Sequence, residues 1–243
     1  MNLNQIIQRM KYTGGTSSGI KLALCVPKFW VIGHCCTYEG WIANETEVTA
    51  IRNWGPCNTL SEVQAFLGTV GVLRIFIQNF THRAHHLIKL TRKNASFKFR
   101  LPQLEAQSDL KQALITLPAL HPINYDSESP VSLAVDTSYI AVGFFLCQCT
   151  PDNPKVRHYN QFGSITLNNR EAKFSQPKLE IYGLYHALRN LRLFVIGIRS
   201  FIIEVDAQYI KEMLANPDIH PSASINRWIV SILTFHFELV HVK

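Results

Sequence analysis

Hydrophobic and polar positions change period twice along this chain, and the changes divide it into three stretches. In the first forty residues the polar run Gly14-Gly15-Thr16-Ser17-Ser18-Gly19 gives way to an apolar, β-rich stretch at 20–32. From Asn44 the period becomes helical. Asn44 with Glu47, and Thr59 with Glu62, have the spacing of a helix cap whose glutamate reaches back to the cap residue, so two helices are predicted. Val63, Phe66, Leu67, Val70 and Leu73 then recur at three- and four-residue steps as one apolar stripe. Thr81 is placed to cap a helix bearing Ala84, Leu87, Ile88 and Lys89. Another opens near Pro102, carries Leu110, Ala113, Leu114 and Leu117 on one side, and closes at Pro118.

After Pro130 the alternation is that of strands. Segments 131–136, 139–148 and 163–167 read as three strands, and Pro177 suits the first turn of a helix running to about Leu193. A strand at 201–205, a helix through Met213, breaks at Pro217 and Pro221, a helix at 224–233 and a strand at 235–242 complete the series. Strands and helices mixed in this order predict an α/β (α+β) domain with helices flanking a mixed sheet, preceded by a small helical unit.

A content of 47% hydrophobic residues in 243 supports a buried core rather than disorder. The net charge of +7 is concentrated: between Arg74 and Lys111 there are eight Lys or Arg against two Asp or Glu. Such a stretch suits a polyanion, nucleic acid above all; an ordinary basic surface is the alternative. The six cysteines include Cys35-Cys36 and Cys147-x-Cys149 but no paired C-x-x-C, so they read as reduced, small hydrophobic side chains of an intracellular protein rather than zinc ligands. The longest apolar run, at 193–203, is interrupted by Arg199 and is too short to span a bilayer. The glycine-rich run at 14–19 lacks the G-K-[ST] ending of a phosphate-binding loop and reads as a turn. His82 and His86 have the spacing of two metal ligands, but with no third in view they read, with His85, as a solvated basic face.

Three carboxylates stand out by position. Asp136 ends the first strand of the C-terminal unit, just before a polar turn, which places it at the sheet's edge rather than in a ladder. Glu180 shares the stripe of Leu184, Ala187 and Leu191, the helix face expected to lie on the sheet, where a bare carboxylate is costly to bury. Asp206 closes the strand at 201–205. Singly, each has an ordinary explanation: a turn, a helix dipole, a cap. Jointly they sit at strand end, helix start and strand end, an arrangement able to hold two divalent cations for phosphodiester cleavage.

The same residues carry a resemblance. Leu133-Ala134-Val135-Asp136-Thr137-Ser138 with Gly143, then 174–180 ending in Glu180, then Ile203-Glu204-Val205-Asp206, resemble the RNase H domain of gypsy-type LTR retrotransposon polyproteins. Upstream, Val31-Ile32-Gly33-His34, Ala50-Ile51-Arg52-Asn53-Trp54, Phe66-Leu67-Gly68 and Phe76-Ile77-Gln78-Asn79-Phe80 are similar to the end of the palm and the thumb/connection region of those reverse transcriptases. The resemblance implies a palm remnant at 1–43, a helical thumb/connection region at 44–118 and a C-terminally truncated RNase H-like domain at 119–243. It implies two-metal hydrolysis of the RNA strand of an RNA–DNA hybrid. Asp136, Glu180 and Asp206 would be catalytic and would ligate Mg²⁺ or Mn²⁺, with no small-molecule cofactor and no membrane. Arg74, Arg83, Lys89, Arg92, Lys93, Lys98 and Arg100 would follow phosphates, and the partner would be a hybrid or other nucleic acid, with the rest of a polyprotein.

Two departures qualify it. No Asp-Asp pair occurs, so polymerase chemistry is not expected of this chain. The family's fourth acidic residue has no counterpart before Lys243, since neither Asp218 nor Glu238 falls at the matching place. The alternatives are an inactive retroelement relic that only binds nucleic acid, and a protein-interaction scaffold.

Overall fold

The computed structural model describes residues 3–150, 153, 156–205, 209–215 and 222–242. A first helix, α1 (Leu3–Tyr12), precedes a small antiparallel sheet of β1 (Lys28–Val31), β2 (His34–Thr37) and β3 (Trp41–Ala43). Only the end of the apolar run at 20–32 becomes strand. β1 pairs with β2 alone, and residues 22–27 have no ladder partner to hold them extended as sheet.

The helical unit follows as α2 (Glu45–Arg52), α3 (Leu60–Val72), α4 (Phe80–Arg83), α5 (His85–Leu90) and α6 (Leu101–Ala113). Both cap side chains bond as predicted, but neither glutamate reaches back to its cap residue, and the Asn44 N–H donates to the Gly33 carbonyl. The Asn44 side chain accepts from the Thr46 N–H and Thr59 Oγ1 from the Glu62 N–H, although Glu62 reaches back one residue further, to the Asn58 N–H at 2.7 Å. The helix predicted after Thr81 differs. It is two short helices, α4 and α5, and Thr81 lies inside the first, buried, with its hydroxyl 2.8 Å from Ser164 Oγ. A distant hydroxyl took the group that local spacing assigned to capping. The apolar stripes meet in one core containing Ile51, Val63, Phe66, Leu73, Leu87 and Leu110.

The C-terminal half is built on β4 (Val131–Thr137), β5 (Ala141–Cys149), β6 (Arg157–Thr166), β7 (Phe201–Val205) and β8 (Glu238–His241), in the order β6-β5-β4-β7-β8. The first three strands are antiparallel, while β4-β7 and β7-β8 are parallel, so the sheet is mixed as expected. β6 is much longer than 163–167. Its N-terminal part is lengthened by pairing with β5 across an irregularity at Leu146/Cys147, which breaks the simple alternation that marks a strand in sequence. The long helix α7 (Gln176–Val195) lays Leu184, Ala187, Leu188 and Leu191 on the sheet, and α8 (Tyr209–Ala215) and α9 (Ala223–Ile232) complete that layer. The breaks predicted at Pro217 and Pro221 lie outside the described residues.

The opposite sheet face is turned to the helical unit. Phe162 belongs to the core of that unit, and Phe145 and Tyr159 pack against it. Three bonds to Ser164 fasten the two together. The Thr81 N–H donates to Ser164 Oγ at 3.1 Å, the two hydroxyls share a bond, and Arg74 Nη2 donates to the Ser164 carbonyl at 2.8 Å. Among the described residues no helix is long and apolar enough to cross a membrane.

Candidate active site

β4 is the central strand, paired by β5 along its whole length but by β7 only from Val131 to Ala134. Asp136 is therefore not outside the ladder, as its place before a turn suggests. It pairs with Gly143 of β5, because β4 continues to Thr137. Its side chain is nevertheless exposed. It faces a cavity of about 150 Å³ whose walls include Asn79, His82, Ser138, Gly143 and Ser164. The side without a Cβ matters here: a Cβ on Gly143 would lie 2.1 Å from Asn79 Oδ1, so glycine lets α4 press onto the sheet beside Asp136.

Glu180 arrives from the other face, in the second turn of α7, half-buried at the head of the Leu184 stripe. Two contacts bring its helix to the end of β4. A Cβ on Gly183 would meet Thr137 Oγ1 at 2.1 Å, so α7 rests on β4 one residue beyond Asp136. The Gln176 amide donates to Glu180 Oε1 at 2.5 Å and to the Thr137 carbonyl at 3.5 Å, tying the carboxylate to the strand end. The fold thus places Asp136 and the start of α7 bearing Glu180 at the same end of β4, on opposite faces of the sheet. Asp206 and Asp218 lie outside the described residues. Among the described residues, no three His, Cys, Asp or Glu side chains form a group that could hold a metal ion. Neighbouring Glu204 is committed elsewhere, in a bidentate pair with Arg157 at 2.8 and 2.9 Å.

The seven basic residues divide. Arg74 is held by Ser164 and lies over the Phe80 ring, Arg83 pairs with Asp109 at 2.6 Å and donates to the Gln78 carbonyl, and Arg92 donates to Asn169 Oδ1 at 2.9 Å. The Arg100 N–H is capped by the Gln103 side chain. Lys89, Lys93 and Lys98 are exposed. His82 and His86 fall on different helices, and His82 lines the Asp136 cavity. His85 is driven down to about 4, first by burial and then by Lys89, His86, Arg92 and His82. Cys35, Cys57 and Cys147 are buried, and burial raises the Cys147 thiol to about 12, which suits inert packing. Cys25 is exposed.

Sequence reasoning missed Asn79, His82 and Gln176 at this site. Gln176 had a signal, standing four residues before Glu180 and beside the helix-opening Pro177. Asn79 and His82 had none, since only the packing of α4 on β5 and β6 brings them there.

Residues 126–235, which carry four of the five strands of the mixed sheet and its flanking helices, match the family described as the RNase H-like domain found in reverse transcriptase. Two kinds of relative agree. The chain is 29% identical over 213 residues to the retrovirus-related Pol polyprotein from transposon 297 of Drosophila melanogaster, covering 87% of this chain and 19% of that protein. It is 23% identical over 241 residues to the transposon Tf2-3 polyprotein of Schizosaccharomyces pombe, covering 98% and 18%. It therefore spans about a fifth of the length of these curated relatives. Among solved structures, it superposes on the foamy viral protease-reverse transcriptase in complex with dsDNA with a TM-score of 0.68, at 18% identity, covering 99% of this chain and 50% of that one. The same viral protein in complex with RNA/DNA hybrid gives 0.66 at 19% identity, covering 92% and 30%.

Proposed function

We propose that this chain is part of a gypsy-type retrotransposon polyprotein in which residues 119–243 are an RNase-H-type endonuclease region that cuts the RNA strand of an RNA–DNA hybrid. Residues 1–43 would then be the end of the reverse transcriptase palm and 44–118 the thumb/connection region. The observation that carries the reading is that Asp136 and the start of α7 bearing Glu180 lie at the same end of β4, with Gln176 linking the Glu180 carboxylate to the Thr137 carbonyl. The polyprotein relatives and the foamy viral structure holding RNA/DNA hybrid support the substrate class.

Asp136 and Glu180 offer hard carboxylate oxygens at an accessible sheet end, the donor type suited to Mg²⁺ or Mn²⁺, and Asp206 would add a third. When bound, such ions supply an activated water and stabilise the leaving oxygen of an in-line displacement. The chain's own contribution is placement. Gln176 fixes the orientation of Glu180, the β4-β5 ladder fixes Asp136, and the helical unit walls the cavity on its far side.

With Mn²⁺, the chain is expected to cleave a hybrid labelled on its RNA strand. Asp136→Asn abolishes this, and Gln176→Ala lowers it by about 10–100-fold, the usual effect of losing a residue that orients a ligand. Cleavage that survives Asp136→Asn would sink the reading. A relic that binds without cutting is the second reading. It predicts hybrid binding unchanged by Asp136→Asn and an intact RNA strand.

A further inference from the structure

The layer of helices on the sheet face turned away from the helical unit carries a recess that the nuclease reading leaves unused. α7 and α9 lie side by side there, with Tyr185 stacked on Trp228 at 6.2 Å between ring centres. Beyond that contact the helices part around a cavity of about 290 Å³, lined by Tyr185, Leu188, Arg189 and Arg192 of α7 and by Ile232 and Phe235 at the end of α9. The four α7 positions follow three- and four-residue steps, so they form one face of about two turns, roughly 10 Å long. Arg189 and Arg192 stand about 14 and 18 Å along the axis from Glu180, which puts the recess at the far end of α7 from that carboxylate.

The floor of the recess is apolar and its cations are uncommitted. Leu188 and Ile232 are buried, while Tyr185 and Phe235 pack against the same core and still line the opening. Arg189 and Arg192 are exposed, and among the described residues neither has a hydrogen-bond or ion-pair partner. That sets them apart from Arg74, Arg83, Arg92 and Arg157, each bonded inside the protein. The dipole of α7 accounts for a cation in its last turn, which is Arg192, but not for a second one a turn earlier. Two guanidinium groups three residues apart repel one another until an anion lies between them. The neighbouring hydroxyls spend their donors locally, Ser231 on the Arg227 carbonyl at 2.9 Å and Thr234 on the Ser231 carbonyl at 2.7 Å, so the arginines are the charged donors a guest meets. Adjacent in sequence to the lining residues, Leu193, Val230 and Leu233 are 86%, 61% and 47% exposed, which extends the apolar surface beyond the recess.

We propose that this groove docks an acidic amphipathic helix of another protein: aliphatic or aromatic side chains of that helix fill the floor, and two of its carboxylates pair with Arg189 and Arg192. The proposal is independent of whether the chain cuts hybrid. A helix suits the groove because its length is the span over which residues at i, i+3, i+4 and i+7 present one face. A polynucleotide suits it less. Following phosphates takes a row of cations, whereas here two cations are succeeded by exposed leucine and valine side chains. Lys178, at the other end of the aromatic row, is already seated over the rings of Phe174 and Trp228 at 4.1 and 5.7 Å.

The test uses the whole chain and a labelled helical peptide of about fifteen residues, with leucines at i, i+3, i+4 and i+7 and glutamates on both flanks. Fluorescence anisotropy at about 0.15 M salt, where distant surface charges are screened, reads the binding. Saturable binding is expected, about tenfold or more tighter than that of the same peptide with lysine for each glutamate or serine for each leucine. Arg189→Gln and Arg192→Gln should each weaken it by about tenfold. Arg189→Glu combined with Arg192→Glu should reverse the preference toward the lysine peptide, a gain that a folding defect does not produce. Both side chains are exposed, so thermal melting should be unchanged. No binding of the acidic peptide, equal binding of the lysine peptide, or an unreversed preference in the double variant overturns the proposal. A single-stranded oligonucleotide that displaces the peptide through the two arginines also overturns it, and makes the groove a nucleic-acid track. So does self-association of the chain, read by light scattering, that the double variant abolishes; the occupant is then a second copy.

Discussion

His85 shows how a residue's chemistry can be reversed by its surroundings. In sequence it belongs to a run of histidines beside lysines and arginines, a setting that reads as solvated and basic. In the fold it is half-buried, and burial followed by the charges of Lys89, His86, Arg92 and His82 lowers it from the ordinary 6.5 to about 4. The unfolded chain therefore takes up this proton near pH 6.5 and the folded one only near pH 4, so the unfolded state holds more protons between them. Stability contributed by the neutral imidazole is complete above pH 6.5 and is lost as the pH falls toward 4. His186, lowered mainly by burial, acts in the same direction. Urea denaturation at stepped pH should show stability falling over this window, with a shallower fall in His85→Gln; equal slopes would contradict the assignment. Arg74, Arg83 and Arg92 teach a related lesson, for each spends at least one donor inside the protein. Counting positive charges in a sequence does not reveal how many are already engaged.

Among the elements, α7 was the most legible. Pro177 near its start and the 184–187–191 stripe announced its position and its buried face, and both are as expected. What the stripe could not reveal is how closely the helix approaches β4, which depends on Gly183. Adding one methyl there brings it to 2.1 Å from Thr137 Oγ1, a hydroxyl that is buried without a hydrogen-bond partner. Gly183→Ala is expected to cost about 1–3 kcal/mol by overpacking, partly offset by the better helix propensity of alanine. Because Glu180 lies one turn away, the same displacement should lower hybrid cleavage more than hybrid binding. Thermal melts together with the two assays would check this, and a neutral variant would mean that Thr137 yields without moving α7. The shorter elements were read less well. α4 and α5 are each under two turns long, too short to repeat an apolar stripe, and their register is held by Ser164 rather than by a local cap.

For the whole molecule, the junction between the helical unit and the sheet decides what the candidate site looks like. Ser164 is its buried pin, and removing the hydroxyl leaves the Thr81 N–H and hydroxyl without their partner. Ser164→Ala should cost about 1–3 kcal/mol. Hydrogen exchange would localise the effect, with the amides of α4 and α5 exchanging faster while those of β4 and β5 remain protected. Uniform acceleration throughout would instead mean that the junction and the sheet open together. Since α4 walls the Asp136 cavity, loosening this junction should disturb the place where nucleic acid is proposed to bind.

The sequence alone determined the element order of the C-terminal half, the caps of α2 and α3, the buried face of α7 and the mixed α/β class. All of these depend on local periodicity or on groups a few residues apart, whose energetics are written into neighbouring positions. Only the tertiary structure decided that Asp136 lies within the β4-β5 ladder, that Gln176 ties Glu180 to Thr137, and that Asn79 and His82 face a strand more than fifty residues away. Those outcomes depend on strand pairing and on close approach at Gly143 and Gly183. Both are set by which surfaces bury one another, and no spacing along the chain encodes that choice.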